Sequence, residues 1–370
     1  MPGKGDGITK RSDGRFMGRA VVETPTGAKR KTVYGKTYDE VRQKLNKLRA
    51  DADGGLVFDA GKLTVGEYLG AWLTDTVKGT VRESTFGSYS RTVNNYLIPG
   101  VGKVKLKNLK PMHLRKLYRE TLESGRSTRT VQYMHTLIKK ALKDAIRAEL
   151  IPHNPAEAVD PPKLEREEMR PLSAEEVRKL LSAARKADDR LAAVWAVAVH
   201  TGMRPGEMLA LTWADVDLDA KTVQVKRALS GGVVTEPKTK RSRRRIGLST
   251  GAVDALRAHR KRQLEERMKR AGLWEDRNLV FPSTVGTHMS QRNLTRAFKV
   301  AAERAGLPET VRLYDLRHTC ATLLLSRNVH PKYVQELLGH ASIALTLDTY
   351  SHVIPGMDGG TGDAMDAALG

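Results

Sequence analysis

Pro152, Pro155, Pro161, Pro162 and Pro171 crowd one stretch of this chain, set among glutamates. Proline fixes φ and lacks the N–H that helices and sheets need, so no regular element runs through such a segment. It reads as a linker over residues 153–171, and it forbids one continuous core across the 370 residues. A second break, Asp53-Gly54-Gly55, divides what precedes it. The expected organisation is therefore multidomain, with a first domain over 1–55, a helical domain over 62–152 and a third domain over 172–354. A Gly-rich, flexible tail over 355–370 ends the chain.

The first domain reads as a small three-stranded sheet plus one helix. Turn signals at Ser12-Asp13-Gly14 and Pro25-Thr26-Gly27 separate strands near 8–10, 15–23 and 29–34. Thr37-Tyr38-Asp39-Glu40 is a capping-box pattern that starts a helix through Val41, Leu45 and Leu48. The second domain is helical throughout. Thr64 to Glu67 caps one helix, Arg82 to Thr85 starts another, and Pro111 suits a first helical turn. Ser127 opens a long helix with Val131, Met134, Leu137, Ile138, Leu142 and Ile146 at helical spacing. Ser173 to Glu176 is a further capping box, opening a mainly helical α+β third domain.

Charge narrows the function. The formal net charge is +22 and the pI about 10.0, a surplus that points to an anionic polymer. No run of eighteen or more apolar residues is long enough to cross a bilayer, and MPGKGDGITK lacks a signal-peptide core. The lone Cys320 leaves no internal disulfide and suits the cytoplasm. Nucleic acid is the favoured partner before any motif is read.

Three segments of the third domain then stand out in order: Thr201-Gly202-Met203-Arg204-Pro205-Gly206-Glu207, Leu313-Tyr314-Asp315-Leu316-Arg317-His318-Thr319, and Leu337-Leu338-Gly339-His340 ten residues before Tyr350. Between the first two lies Thr235-Glu236-Pro237-Lys238-Thr239-Lys240-Arg241, continued by Arg243 and Arg244. Together they resemble the active-site boxes of the tyrosine recombinase (phage integrase) family. In the first domain, ITKR followed by DGR, and KRKTVYGKT, resemble the arm-binding domain of that family. The second domain is similar to its core-binding domain.

The resemblance implies a fold of tyrosine-recombinase type and a site-specific DNA recombinase. Its Tyr350 would attack phosphorus, leaving a 3′-phosphotyrosine and a free 5′-hydroxyl. Reversal by another strand's 5′-hydroxyl reseals the DNA, so no cofactor, nucleotide or metal is needed. Arg204 and Arg317 would balance the charge of the phosphorane, as planar bidentate cations can. Glu207 would orient Arg204, Lys238 would protonate the 5′-oxygen, and His340 would donate to a nonbridging oxygen. Lys240, Arg241, Arg243 and Arg244 suit backbone phosphates. Lys10, Arg11, Arg15, Arg19, Lys29, Arg30 and Lys31 are the DNA-contacting candidates of the first domain. Implied partners are double-stranded attachment sites of core and arm type, three further copies in a tetramer exchanging strands through a Holliday junction, and host DNA-bending and directionality proteins, all in the cytoplasm of a bacterial host.

One position departs from the family: Tyr314 stands where a histidine is usual. A phenol with a pKa of about 10 is a poor base at neutral pH but can donate a hydrogen bond. His318 is expected to face elsewhere on its helix, which leaves the base for Tyr350 open. Asp215, Asp217 and Asp219 alternate like calcium ligands, but Ala220 and Lys226 stand where an EF-hand wants Gly and Glu; they read as turn residues. Cys320 reads as core. Two other functions fit part of the pattern: a topoisomerase-like enzyme, against which the separate first domain argues, and an inactive DNA-binding regulator, supported only by Tyr314.

Overall fold

The structure, a computed structural model, describes residues 7–24, 27–53, 62–164, 170–236, 243–351 and 361–369. The chain divides into two compact units, Met1–Arg166 and Glu167–Gly370.

The first unit holds two separate cores. Strands β1 (Ile8–Lys10), β2 (Phe16–Thr24) and β3 (Gly27–Gly35) form an antiparallel sheet in the order β1-β2-β3, covered on one face by helix α1 (Tyr38–Asp53). Thr37 Oγ1 accepts from Glu40 N at 3.2 Å, while Glu40 reaches back to Lys36 N. Val41 and Leu45 press onto Ala20 in a small core. Gly18 is the close-approach point, since a Cβ there would lie 2.5 Å from Leu45 Cδ1. The β2–β3 register pairs Arg19 with Thr32 and Val21 with Arg30. Alternation along the strands puts these four on the face away from α1.

The second core belongs to α2 (Val65–Ala71), α3 (Glu83–Thr92), the short α4 (Ile98–Val101), α5 (Pro111–Glu123) and α6 (Thr128–Arg147). The Thr64–Glu67 box is complete, and Ser127 caps α6 through Thr130 N. Val131, Met134, Leu137, Ile138 and Leu142 are all buried, as their spacing predicts, and Ile146 is half-buried. Two buried polar handles tie α2 and the turn after it to α6. Tyr68 donates to Ala141 O at 2.5 Å, and Trp72 Nε1 to Asp144 at 2.9 Å.

In the second unit, Ser173 and Glu176 close a capping box at α7 (Ala174–Lys186). It is followed by the apolar α8 (Ala192–Thr201) and short α9 (Pro205–Leu209). Strands β4 (Val216–Asp217) and β5 (Thr222–Val225) precede a two-stranded hairpin, β6 (Ala228–Ser230) and β7 (Val233–Thr235). Then β8 (Arg244–Gly247) returns to pair with β5. Helices α10 (Thr250–Lys269), α11 (Gln291–Arg304), α12 (Asp315–Leu325), α13 (Pro331–Leu338) and α14 (Ile343–Tyr350) complete it, with α15 (Thr361–Leu369) near the end. Trp195 of α8 meets Phe298 of α11 edge to face at 5.4 Å within the large core.

One expectation is corrected here. Residues 361–369, expected as part of a flexible tail, form a helix; Ala364, Met365, Ala367, Ala368 and Leu369 are strong helix formers that outweigh the single Gly362. In α14, Ile343 and Leu345 are exposed while Thr346 and Tyr350 are buried. Asp217 does act as a turn residue, accepting from Asp219 N and Ala220 N. Cys320 is buried, as expected. Among the described residues no helix is long and apolar enough to cross a membrane.

Candidate active site

Arg317 is the centre of a constellation drawn from four separated segments. It lies in the first turn of α12 and is only 2% exposed. Its Nη1 donates to Gly202 O and its Nη2 to Leu338 O, each at 2.7 Å. Those carbonyls are available because α8 and α13 both end in left-handed glycines, Gly202 (φ 59°) and Gly339 (φ 67°). Such caps turn the chain away and leave carbonyls of the helix end without an intrahelical partner. Burial first, and the Arg204 charge next, push the Arg317 pKa down to about 10, still a full cation at neutral pH.

Arg204 precedes α9 with extended backbone (φ −68°, ψ 147°). Its Nη1 meets Glu207 Oε1 at 2.9 Å, its backbone N–H donates to Glu207 Oε2 at 2.9 Å, and Nη2 approaches Gly339 O at 3.4 Å. Glu207 is buried and also takes Arg244, whose Nη2 lies 2.8 Å from Oε2 and Nη1 3.2 Å from Oε1. Burial alone would raise the Glu207 pKa. The hydrogen bonds and charges of Arg244 and Arg204 outweigh that and hold it below 4.5. The sequence expectation for Arg244, shared with its basic neighbours, is contact with DNA backbone phosphates. Its side chain is instead 7% exposed and donates through Nε to Leu337 O at 2.6 Å. Strand alternation in β8 explains this, because Arg244 and Ile246 share the inward side while Arg243 and Arg245 point out.

His340 follows Gly339. Its Nδ1 lies 2.9 Å from Thr346 Oγ1, so with that hydroxyl donating, Nε2 carries the hydrogen. Burial, then Arg317, Arg204, His318 and Arg244, press its pKa down to about 4, which keeps the ring neutral. Tyr350 ends α14, 2% exposed, in a small core with Ala321, Leu325, Val334 and Leu338. Burial raises its phenol pKa well above the ordinary value, against the opposing pull of Arg317.

The hydrogen-bond partner of that phenol corrects the expectation for His318. Its Nδ1 lies 2.6 Å from Tyr350 Oη. Adjacent helical residues are about 100° apart, not opposed, so Arg317 and His318 can serve one site when another element crosses beside them. The only sequence signal was an imidazole directly after the arginine of α12. Tyr314 is 44% exposed and lies against the His318 ring, centroids 5.4 Å apart.

Lys238, Lys240 and Arg241 lie outside the described residues. Arg243 is exposed and pairs with Glu236 at 2.6 Å. Lys10 and Arg11 sit over the rings of Phe16 and Tyr34, Arg15, Arg19 and Arg30 are exposed, and Lys31 is half-buried; the Lys29 side chain is outside the description. No cluster of His, Cys, Asp or Glu that could hold a metal occurs among the described residues.

Comparison with known proteins places this geometry in context. The model of the phage integrase family matches residues 170–356, and that of a phage integrase N-terminal SAM-like domain matches 64–122. A tyrosine recombinase XerC-like protein of Caldanaerobacter subterraneus is 30% identical over 355 residues, spanning 88% of each chain. An integrase of Saccharopolyspora erythraea is 26% identical, covering 96% of this chain and 94% of its own. Among solved structures, the Tn1549 transposon integrase in complex with a circular intermediate DNA has a TM-score of 0.70 at 21% identity, covering 83% of this chain and all of that one. A lambda integrase tetramer bound to a Holliday junction has a TM-score of 0.58 at 18% identity, covering 91% of this chain and 96% of its own. At those identities the structures speak to the fold.

Removing the carboxylate between the arginines has a calculable consequence. Glu207→Ala should cost about 3–5 kcal/mol, as breaking a buried ion pair does, read as an earlier urea midpoint at pH 7. The Glu207 pKa is lower folded than unfolded, so its stabilisation is complete above about pH 4.5 and lost on acidification through the folded pKa. The variant should lose that part of the acid-side slope.

Proposed function

The chain belongs to the phage integrase family, and from that membership we propose that it cuts and rejoins DNA at specific sites through Tyr350, integrating a phage or mobile element. It is a tyrosine recombinase, a DNA strand-transferring enzyme. The observation that carries the finer reading is a linked set of groups: Arg317 acts electrostatically on Tyr350, Arg317 and Arg204 act on His340, and His340 bonds Thr346 on the helix that bears Tyr350. These side chains come from separate elements.

In this reading a scissile phosphate binds over Arg204 and Arg317. Each guanidinium has five N–H donors, so those committed to carbonyls and to Glu207 leave others for phosphate oxygens. The neutral His340 donates from Nε2 to a nonbridging oxygen. Tyr350 attacks in line, and the fixed cations stabilise the charge that builds on the phosphorane. Lys238 protonates the leaving 5′-oxygen, and Tyr314, at the rim, donates to the phosphate. Neither a metal nor a nucleotide enters, because the phosphotyrosine retains the bond energy.

The sheet of the first domain is proposed as the arm-site reader. Its face opposite α1 carries Arg19 and Arg30 beside Thr32, a surface of the size that enters a major groove. The helical domain clamps the core site. The assembly is a homotetramer working through a Holliday junction, for which the lambda integrase tetramer of similar fold is support. Host bending and directionality proteins complete the set of partners.

Three measurements test this. Tyr350→Phe should bind a nicked core-site DNA normally and trap no covalent adduct; an adduct from that variant would refute the nucleophile. Wild-type cleavage should proceed in EDTA, and a strict magnesium requirement would revive a metallonuclease mechanism. Deleting residues 1–55 should spare core-site binding and abolish arm-site binding, the latter falling steeply with salt in the intact protein. Equal loss at both sites would contradict that division.

A further inference from the structure

The Tyr314 departure leaves the reaction without the family's usual imidazole at that position, yet an imidazole does touch the attacking oxygen. We propose that His318 is the base that accepts the Tyr350 proton during strand cleavage and returns it during resealing. This rests on Tyr350 being the nucleophile.

The geometry has three parts. His318 Nδ1 lies 2.6 Å from Tyr350 Oη, within direct proton-transfer distance. The two rings are 5.8 Å apart and tilted by 50°, so the contact is made edge-on through the nitrogen. His318 also sits on an anchored helix with a second ring beside it. Arg317, its neighbour in α12, is anchored to Gly202 O and Leu338 O, and the Tyr314 ring lies 5.4 Å away.

The charged surroundings keep the ring ready to accept. Burial lowers the His318 pKa below 6.5; Asp315 on the same helix opposes this and Arg317 reinforces it. Facing His318 from other elements are Tyr350 on α14 and His340 after α13, the latter under the charges of Arg204 and Arg244; Tyr314 and, on α12 itself, Cys320 act on Tyr350. The imidazole is therefore neutral at pH 7. With the phenol donating to Nδ1, Nε2 holds the ring hydrogen. Tyr314 is no substitute, since its ring lies against His318 and it is His318 that makes the hydrogen bond to Tyr350 Oη.

The step balances. As Tyr350 Oη bonds to phosphorus, its proton passes to His318 Nδ1. The P–O5′ bond breaks, and the 5′-oxygen takes a proton from the general acid assigned to Lys238. In resealing, the 5′-hydroxyl returns its proton to that lysine as it attacks. The tyrosine–phosphorus bond breaks, and the imidazolium reprotonates the phenolate.

The test uses full-length His318→Asn, whose Oδ1 preserves an acceptor near the Nδ1 position but takes no proton, with His318→Gln as the second variant should the first unfold below assay temperature. Single-turnover cleavage of a nicked core-site DNA is followed from pH 6 to 9. Wild type should be flat above about pH 7 and fall below it as the imidazole protonates. The variant should bind DNA normally and cleave about 10²–10⁴-fold more slowly at pH 7. Its rate should climb about tenfold per pH unit as hydroxide replaces the lost base. A DNA with sulfur at the 5′-bridging position needs no general acid, so the variant should stay slow on it. A rate close to wild type at pH 7, an equal fractional loss at every pH, or full recovery on the sulfur substrate would each overturn the assignment. Adduct formation by Tyr350→Phe would instead sink the nucleophile reading.

Discussion

A buried guanidinium facing backbone carbonyls is the constraint on which this catalytic unit depends. Removing a cation from water is costly unless its donors are met, and Arg317 meets them with the ends of two helices. That requirement ties α8, α12 and α13 together at one point. It also demands the two left-handed glycines, because a continuing helix would leave neither carbonyl available. At Gly202 the space is closed as well, a Cβ there lying 2.6 Å from Leu338 Cδ2.

The local charge balance follows from the same arrangement. Arg204 and Arg244 both pair with Glu207, and Arg317 lies within its electrostatic reach, so these four groups carry a net positive charge. An excess of fixed positive charge suits an anion carrying still more charge in its transition state than at rest. Burial, reinforced by nearby arginines, presses protons off the neighbouring imidazoles. His340 is held neutral and so remains a donor through one nitrogen only, and His318 is left able to accept. Burial and fixed charge thereby act together on the protonation of the groups beside the arginines.

Local signals carried the secondary structure well because they act within a few residues. Thr64, Ser127 and Ser173 start helices through their own hydroxyls, and the apolar spacing of α6 names its buried face. Distant elements decide what those local signals leave open. α14 buries Thr346 and Tyr350 because α12 and α13 pack on that side, although Ile343 and Leu345 are the more apolar residues. Arg244 looked like one more member of a basic run, and only strand alternation against Glu207 turns it inward.

The sequence by itself determined the types and order of the groups: two arginine-bearing boxes, a glycine-histidine turn and a tyrosine ten residues on, each within a recognisable local frame. Tertiary structure alone decided which of them touch. His318 lies 32 residues from Tyr350, and no periodicity links the two. Their 2.6 Å contact exists because α14 crosses beside the first turn of α12, and a helix's facing toward a distant partner is set by packing, which a linear pattern does not encode.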